Sequence, residues 1–259
     1  MAYRLRPEHR RVNGGGSAAP VCRVWVASGA VNVGSGQGGQ QIIPRPERWR
    51  VGGPAPWADL SPSRRRIDLD RLTQQLAGRE PGSLVTGAPP PRRDSAVLIP
   101  LWESGGEVAV ALTRRTRAMR AHSGEVSFPG GGQDPGESLW QTALREAEEE
   151  IGLPRHLPSL IGELDRLITF SSQARIHPYV ATLTEQPVLT PSPDEVDRIL
   201  TVDLSVLAAD AVFREEHWSI PGLASERVIT FFELDGDTVW GATATMLRQL
   251  LMVGMGLEG

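Results

Sequence analysis

Residues 131–153, GGQDPGESLWQTALREAEEEIGL, constrain this chain more than any other stretch. Ser138 is a helix cap, and Gly152 followed by Pro154 is a helix stop. Between them Leu139, Ala143, Ala147 and Ile151 recur every four residues, so the spacing predicts a helix over 138–152 with one apolar stripe to bury. Glu146, Glu149 and Glu150 stand at i, i+3 and i+4 on another face, and Glu148 adds a fourth carboxylate. Like charges at that spacing cost a few tenths of a kcal/mol per pair. They also lie toward the end of the helix where its dipole disfavours anions. Local stability therefore does not account for them. A hard divalent cation does, because it takes oxygen ligands and is held by one or two carboxylates. The plainer reading is a solvated acidic face on which Arg145 makes surface ion pairs.

The sequence around this segment supplies layers to pack against. IDLDRLTQQLAG (67–78) reads as a short amphipathic helix, and AVLIPLW (96–102) and EVAVALT (107–113) as strands joined by the turn ESGG. ITF (168–170), RIHPYVATL (175–183), VFREEHWSI (212–220) and RVITFFEL (227–234) also read as strands. DLSVLAAD (203–210) and GATATMLRQLLMVG (241–254) read as helices. Strands interleaved with helices predict an α/β layered domain. PGSLVTGAPPPRR (81–93) is expected to be a linker.

Charge divides the 259 residues unevenly. Positions 1–66 hold 11 Arg against 3 acidic residues, a net of +8, and the remainder carries a net of −12. All 27 basic residues are Arg, as a GC-biased coding sequence would give. Residues 1–66 are also rich in Gly and Pro, so composition predicts a solvated, flexible extension, with the folded domain spanning 67–259. Trp25, Trp49 and Trp57 run against that reading. A chain lacking 1–66 is expected to keep its activity. The Arg-rich, acid-poor start also matches transit-peptide composition, a minor reading. No apolar run approaches 18 residues, so no membrane partner is expected. The single cysteine, Cys22, forms no internal disulfide or zinc cluster and fits a reducing cytoplasm. A net of −12 argues against a nucleic-acid partner, and the sequence leaves a homodimer open.

The spacing Gly131, five residues, Glu137, seven residues, Arg145-Glu146, then Glu149-Glu150 and Gly152 matches all seven fixed positions of the Nudix box. Seven chance matches at one start have a probability on the order of 10⁻⁸. Ala147, at a position where a bulkier aliphatic is usual, is the one small departure. The chain thus resembles the Nudix hydrolases. That resemblance implies a Nudix fold, a mixed β-sheet between helices (α/β/α), with the box (131–153) as loop, helix and loop. It implies hydrolysis of a diphosphate linked to another moiety with Mg²⁺ or Mn²⁺. Glu146 and Glu150 would be metal ligands, Glu149 a third ligand or the base, and Arg145 the residue that orients them.

A second motif lies upstream. Residues 111–131, ALTRRTRAMRAHSGEVSFPGG, resemble the additional signature of the coenzyme A diphosphatase branch, with Leu112, Thr113, Arg115, Arg120, Gly124, Phe128, Pro129, Gly130 and Gly131 in register. Ala111 and Thr116 depart mildly from it. The resemblance implies cleavage of CoA or acyl-CoA to 3′,5′-ADP and (acyl-)4′-phosphopantetheine. Arg115, Arg120, Gly130 and Gly131 would contact the substrate. Arginine suits bidentate phosphate contacts, whereas Arg114 and Arg117 occupy variable positions. SSQARIH (171–177) departs from the Ser-Gly-aromatic segment common in relatives at Gln173 and Ala174. His122 and His177 read as structural or surface histidines. The alternatives are a Nudix hydrolase of ADP-ribose, NADH or an oxidised nucleoside triphosphate, and a nucleotide-sensing regulator without catalysis. The intact glutamate set speaks against the regulator.

Overall fold

The computed structural model describes residues 22–26, 29–33, 38–39, 41, 43–83, 90–116, 124–169, 173–223 and 225–257. In chain order the elements are β1 (Cys22–Val26), β2 (Gly29–Val33), β3 (Trp49–Val51), α1 (Pro62–Arg65), α2 (Leu69–Leu76), β4 (Arg93–Ser104) and β5 (Glu107–Arg115). There follow β6 (Val126–Ser127), β7 (Gly130–Gly132), α3 (Leu139–Ile151), β8 (Ser159–Glu163), β9 (Leu167–Ile168), β10 (Ala174–Thr182) and β11 (Val196–Asp203). The chain closes with α4 (Leu204–Leu207), β12 (Phe213–Trp218), β13 (Arg227–Leu234), β14 (Asp237–Trp240) and α5 (Gly241–Met255).

The larger sheet runs β2-β1-β11-β5-β4-β10-β8, with β6 on β5, β7 on β4 and β9 on β10. β10 pairs with β4 in parallel and the other pairs are antiparallel, so the sheet is mixed. β4 shows why its apolar run is unbroken. Ala96, Leu98 and Trp102 turn toward the core under α3, with Ala109 and Ala111 of β5. Val97, Ile99 and Leu101 turn the other way, with Val108, Val110 and Leu112, onto the core shared with α2 and α5. A strand covered on both faces reads as continuous rather than alternating. The result is the α/β/α layering of the Nudix fold. The smaller sheet, β14-β13-β12-β3, is antiparallel.

α3 forms where the spacing places it. The Ser138 hydroxyl accepts from Gln141 N at 3.3 Å and the Gln141 amide oxygen accepts from Ser138 N at 2.8 Å, a reciprocal capping box. Gly152, at φ 67°, closes the helix in the left-handed conformation. Ala143, Ala147 and Ile151 are fully buried. The small Ala147 sits in a cluster with Ala96, Ala109 and Ala111, which lets helix and sheet approach closely.

Composition sets residues 1–66 apart, but the packing does not divide the chain there. β1 and β2 form a hairpin that joins the main sheet at Trp25↔Thr201, and β3 adds an edge to the smaller sheet at Trp49↔Trp218. Trp57 is fully buried, donates to Ala208 O at 2.9 Å and meets Phe213 edge-on at 5.3 Å. Arg45 pairs with the buried Glu216 at 2.6 Å. Gly and Pro dominate the count in this segment, while three or four anchors decide its packing. Residues 1–21, 27–28, 34–37, 40 and 42 of the extension expected over 1–66, and residues 84–89 of the expected linker, lie outside the described residues. Among the described residues no helix is long and apolar enough to cross a membrane.

Candidate active site

The site is built where β7 meets α3. Gly132, Gly131 and Gly130 pair with Ser95, Ala96 and Val97 of β4, so the glycine run is a short strand laid along the sheet. A Cβ on Gly131 would overlap the Glu146 carboxylate, and one on Gly130 would overlap the backbone of β4. At Gly130 the obstacle is backbone, so only glycine fits there, whereas at Gly131 a side chain would have to push the Glu146 carboxylate aside.

Arg145 is the hub. Its guanidinium donates to both Glu137 oxygens at 3.1 and 2.9 Å, to Gly132 O at 3.0 Å, to Glu146 Oε1 at 2.9 Å and to Glu149 Oε2 at 3.0 Å. One side chain thus ties the glycine loop to both ends of the acidic face. Arg145 drives the Glu137 pKa down to about 2, helped by Asp134 N and the Thr142 hydroxyl. The surrounding carboxylates, Glu137 first, raise that of Arg145. Among the described residues no three Asp, Glu, His or Cys side chains converge as a metal cluster. Arg145 Nη1 instead donates to both Glu146 and Glu149.

Glu150 differs from its neighbours. It is 2% exposed, while the Glu149 side chain is 54% exposed. Burial pushes its pKa up to about 8, against the pull of Arg115, and the charges of Glu146 and Glu195 push the same way. Arg115 Nη1 lies 3.5 Å from Glu150 Oε1, while Glu150 Oε2 is buried without a hydrogen-bond partner. Burial also raises the Glu146 pKa, with Arg145 opposing.

Glu137, Arg145, Glu146, Glu149, Glu150, Arg115, Gly130 and Gly131 thus come together. Arg117, Arg120 and His122 lie outside the described residues. Arg114 points elsewhere, pairing with Asp197 and, at 3.3 Å, with the fully buried Asp237. Alternation along β5 separates it from Arg115. Thr113, Gly124 and Phe128 of the upstream motif shape the local backbone. Thr113 bonds Ser127 across β5 and β6, Gly124 takes φ 72° in the turn, and Phe128 is buried in the core. Glu195 is the residue that spacing did not mark. It follows Asp194 immediately before β11, away in sequence from the glutamates of α3, and its backbone oxygen receives Thr116 N at 2.9 Å.

Comparison with known proteins agrees with this geometry. The NUDIX domain model matches residues 91–221. The chain is 34% identical over 169 residues to "Uncharacterized Nudix hydrolase NudL" of Photorhabdus laumondii, covering 62% of this chain and 88% of that one. It is 32% identical over 170 residues to "Nudix hydrolase 3" of Caenorhabditis elegans, covering 60% and 71%. It is 37% identical over 165 residues to "Nudix hydrolase 22, chloroplastic" of Arabidopsis thaliana, covering 60% and 53%. The matched region holds the glycine loop, α3 and strands β4 to β11 of the larger sheet, and the chain belongs to the Nudix hydrolase family.

Proposed function

We propose that this chain hydrolyses the diphosphate bond of coenzyme A or an acyl-CoA, releasing 3′,5′-ADP and (acyl-)4′-phosphopantetheine, with Mg²⁺ or Mn²⁺. One observation carries the placement of the chemistry. Glu150 is a buried carboxylate with one unpartnered oxygen, set between Glu146 and Arg115. An unsatisfied buried carboxylate is costly unless a cation meets it. The available donors are carboxylate oxygens, the class that hard divalent cations take. Glu146 and Glu150 would hold the ion, with Glu149 beside them as the base. When bound, such an ion neutralises phosphate charge and lowers the pKa of water.

The chain's own residues do the rest. Arg145 holds Glu137, Glu146 and Glu149 in register against the glycine loop. Gly130 and Gly131 let the loop lie directly against β4 and the Glu146 carboxylate, which fixes the phosphate-facing edge of the site. Arg115 and Arg120 bind phosphate oxygens. Glu149, with Oε2 held by Arg145, accepts the proton of the attacking water at Oε1. The upstream motif supports CoA as the substrate.

Product analysis by mass spectrometry against CoA, acyl-CoA, ADP-ribose, NADH and an oxidised nucleoside triphosphate, each with Mg²⁺ and with Mn²⁺, tests this reading. The expected products are 3′,5′-ADP and phosphopantetheine. Intact CoA alongside a cleaved ADP-ribose would overturn the substrate, and no cleavage with tight nucleotide binding would favour a sensor.

A further inference from the structure

A second ionisable cluster lies on the same face of the sheet as α3. Along β10, Arg175, His177 and Tyr179 alternate onto the face that carries Ala181 of the α3-side core. Along β4, Asp94 shares that face with Ala96 and Leu98. His177 is buried, and both ring nitrogens face carboxylates, Nδ1 toward Glu163 Oε1 at 3.0 Å and Nε2 toward Asp94 Oδ1 at 3.3 Å.

Each carboxylate also grips an arginine side-on. Arg175 Nε and Nη2 reach Asp94 at 2.6 and 3.2 Å, and Arg166 Nε and Nη2 reach Glu163 at 3.0 and 3.5 Å. The side chains remain 43% and 40% exposed. Two guanidiniums face two carboxylates, and each guanidinium turns its Nη1 edge away from its partner. Arginines held side-on by half-buried partners are preorganised for an anion, because part of their freedom is already lost. Tyr179, edge-on to Trp140 at 5.6 Å, stands beside them.

The cluster is also near the glycine loop. Gly131 and His177 are both register partners of Ala96, on either side of β4. Two strand spacings, about 10 Å, therefore separate the backbone at Gly131 from the backbone at His177.

We infer that Arg166 and Arg175 form a subsite for a phosphomonoester that the substrate carries apart from the diphosphate being cut. The inference deepens the proposed function, since CoA bears a 3′-phosphate on the ribose whose 5′ position carries the diphosphate. A purely structural cross-link of β4, β8 and β10 would use the same ion pairs but would not sense that phosphate.

Calorimetric binding of adenosine 3′,5′-bisphosphate and of AMP to the full chain separates the two. The wild type is expected to bind the bisphosphate about tenfold or more tightly than AMP, as charge-assisted bonds to one phosphate would give. Arg166→Gln and Arg175→Gln, each checked for folding by circular dichroism, are expected to shrink that ratio severalfold, and their combination to abolish it. The KM ratio between CoA and 3′-dephospho-CoA is expected to move in parallel. Equal wild-type binding of the two nucleotides, or a folded Arg166→Gln variant that keeps the full ratio, would overturn the subsite. If the wild type leaves CoA intact, the proposed function fails, while the nucleotide ratio still decides the subsite.

Discussion

Two residues with opposite electrostatics organise the site. Glu137 is held in its charged form, since Arg145 keeps its pKa near 2. A carboxylate whose folded pKa lies below its unfolded value contributes stability above that unfolded value, and the contribution is lost as pH falls toward the folded one. Glu137→Gln should therefore destabilise the protein at pH 7 by about 1–2 kcal/mol, less than the full shift because solvent screens part of the pair. The deficit should narrow below about pH 4 and vanish near pH 2, which thermal melts across that range would show. Glu150 is the reverse case, a carboxylate pushed up to about 8 by burial. Its charged form needs a cation beside it. Glu150→Gln is expected to lower turnover by about 100-fold or more. Added Mg²⁺ should raise the melting temperature of the wild type and leave that of the variant nearly unmoved, because a ligand stabilises only the state that binds it. Equal shifts in both proteins would remove Glu150 from the metal site.

At the scale of elements, the glycine loop and α3 act as one unit. The Gly131 position is filled by the Glu146 carboxylate, so a methyl group there must displace it. Gly131→Ala should cost activity by tenfold or more, on the order of other misplaced catalytic groups, with only a modest fall in melting temperature. A variant with full activity would show that Glu146 can move without consequence. This unit was legible in the sequence because its caps, stripe and glutamates are all local. β4, β5, β10 and α5 were legible for the same reason, as long apolar runs. β7 was not, since three glycines carry no side-chain pattern. Nor was β11, where a register shift between Val196 and Arg198 breaks the alternation that marks a strand. Gln173 takes φ 49°, the only non-glycine among the described residues in that region of backbone space. The sequence departed from its relatives there, and the departure falls on the turn into β10. Glu195 and the Asp94–His177–Glu163 cluster escaped because their partners are distant in sequence and meet only through strand pairing.

At the scale of the molecule, the question is where the folded unit begins. Counting Gly and Pro places the boundary at residue 66, yet the larger core continues through Ala55 and Trp57. Trp57 fills a buried position against Phe213 and satisfies its own N–H on Ala208 O, so it is both packed and hydrogen-bonded. Arg65 reinforces the same corner, donating to Leu60 O and Ala58 O and pairing with Asp210 at 2.7 Å. A buried Trp truncated to Ala costs about 3–5 kcal/mol, from lost burial and the cavity left behind. That is a large fraction of a typical domain's total stability of roughly 5–15 kcal/mol. Trp57→Ala should therefore lower the melting temperature markedly. A chain starting at residue 67 should fare worse, because it also loses β3 and the Arg45 partner of Glu216, whose carboxylate would remain buried beside Arg214 and Trp218. Side-by-side melts of the full chain, Trp57→Ala and the truncated chain would decide it. If the truncated chain melts with the wild type, residues 43–66 are an appendage after all, and the composition drew the boundary correctly.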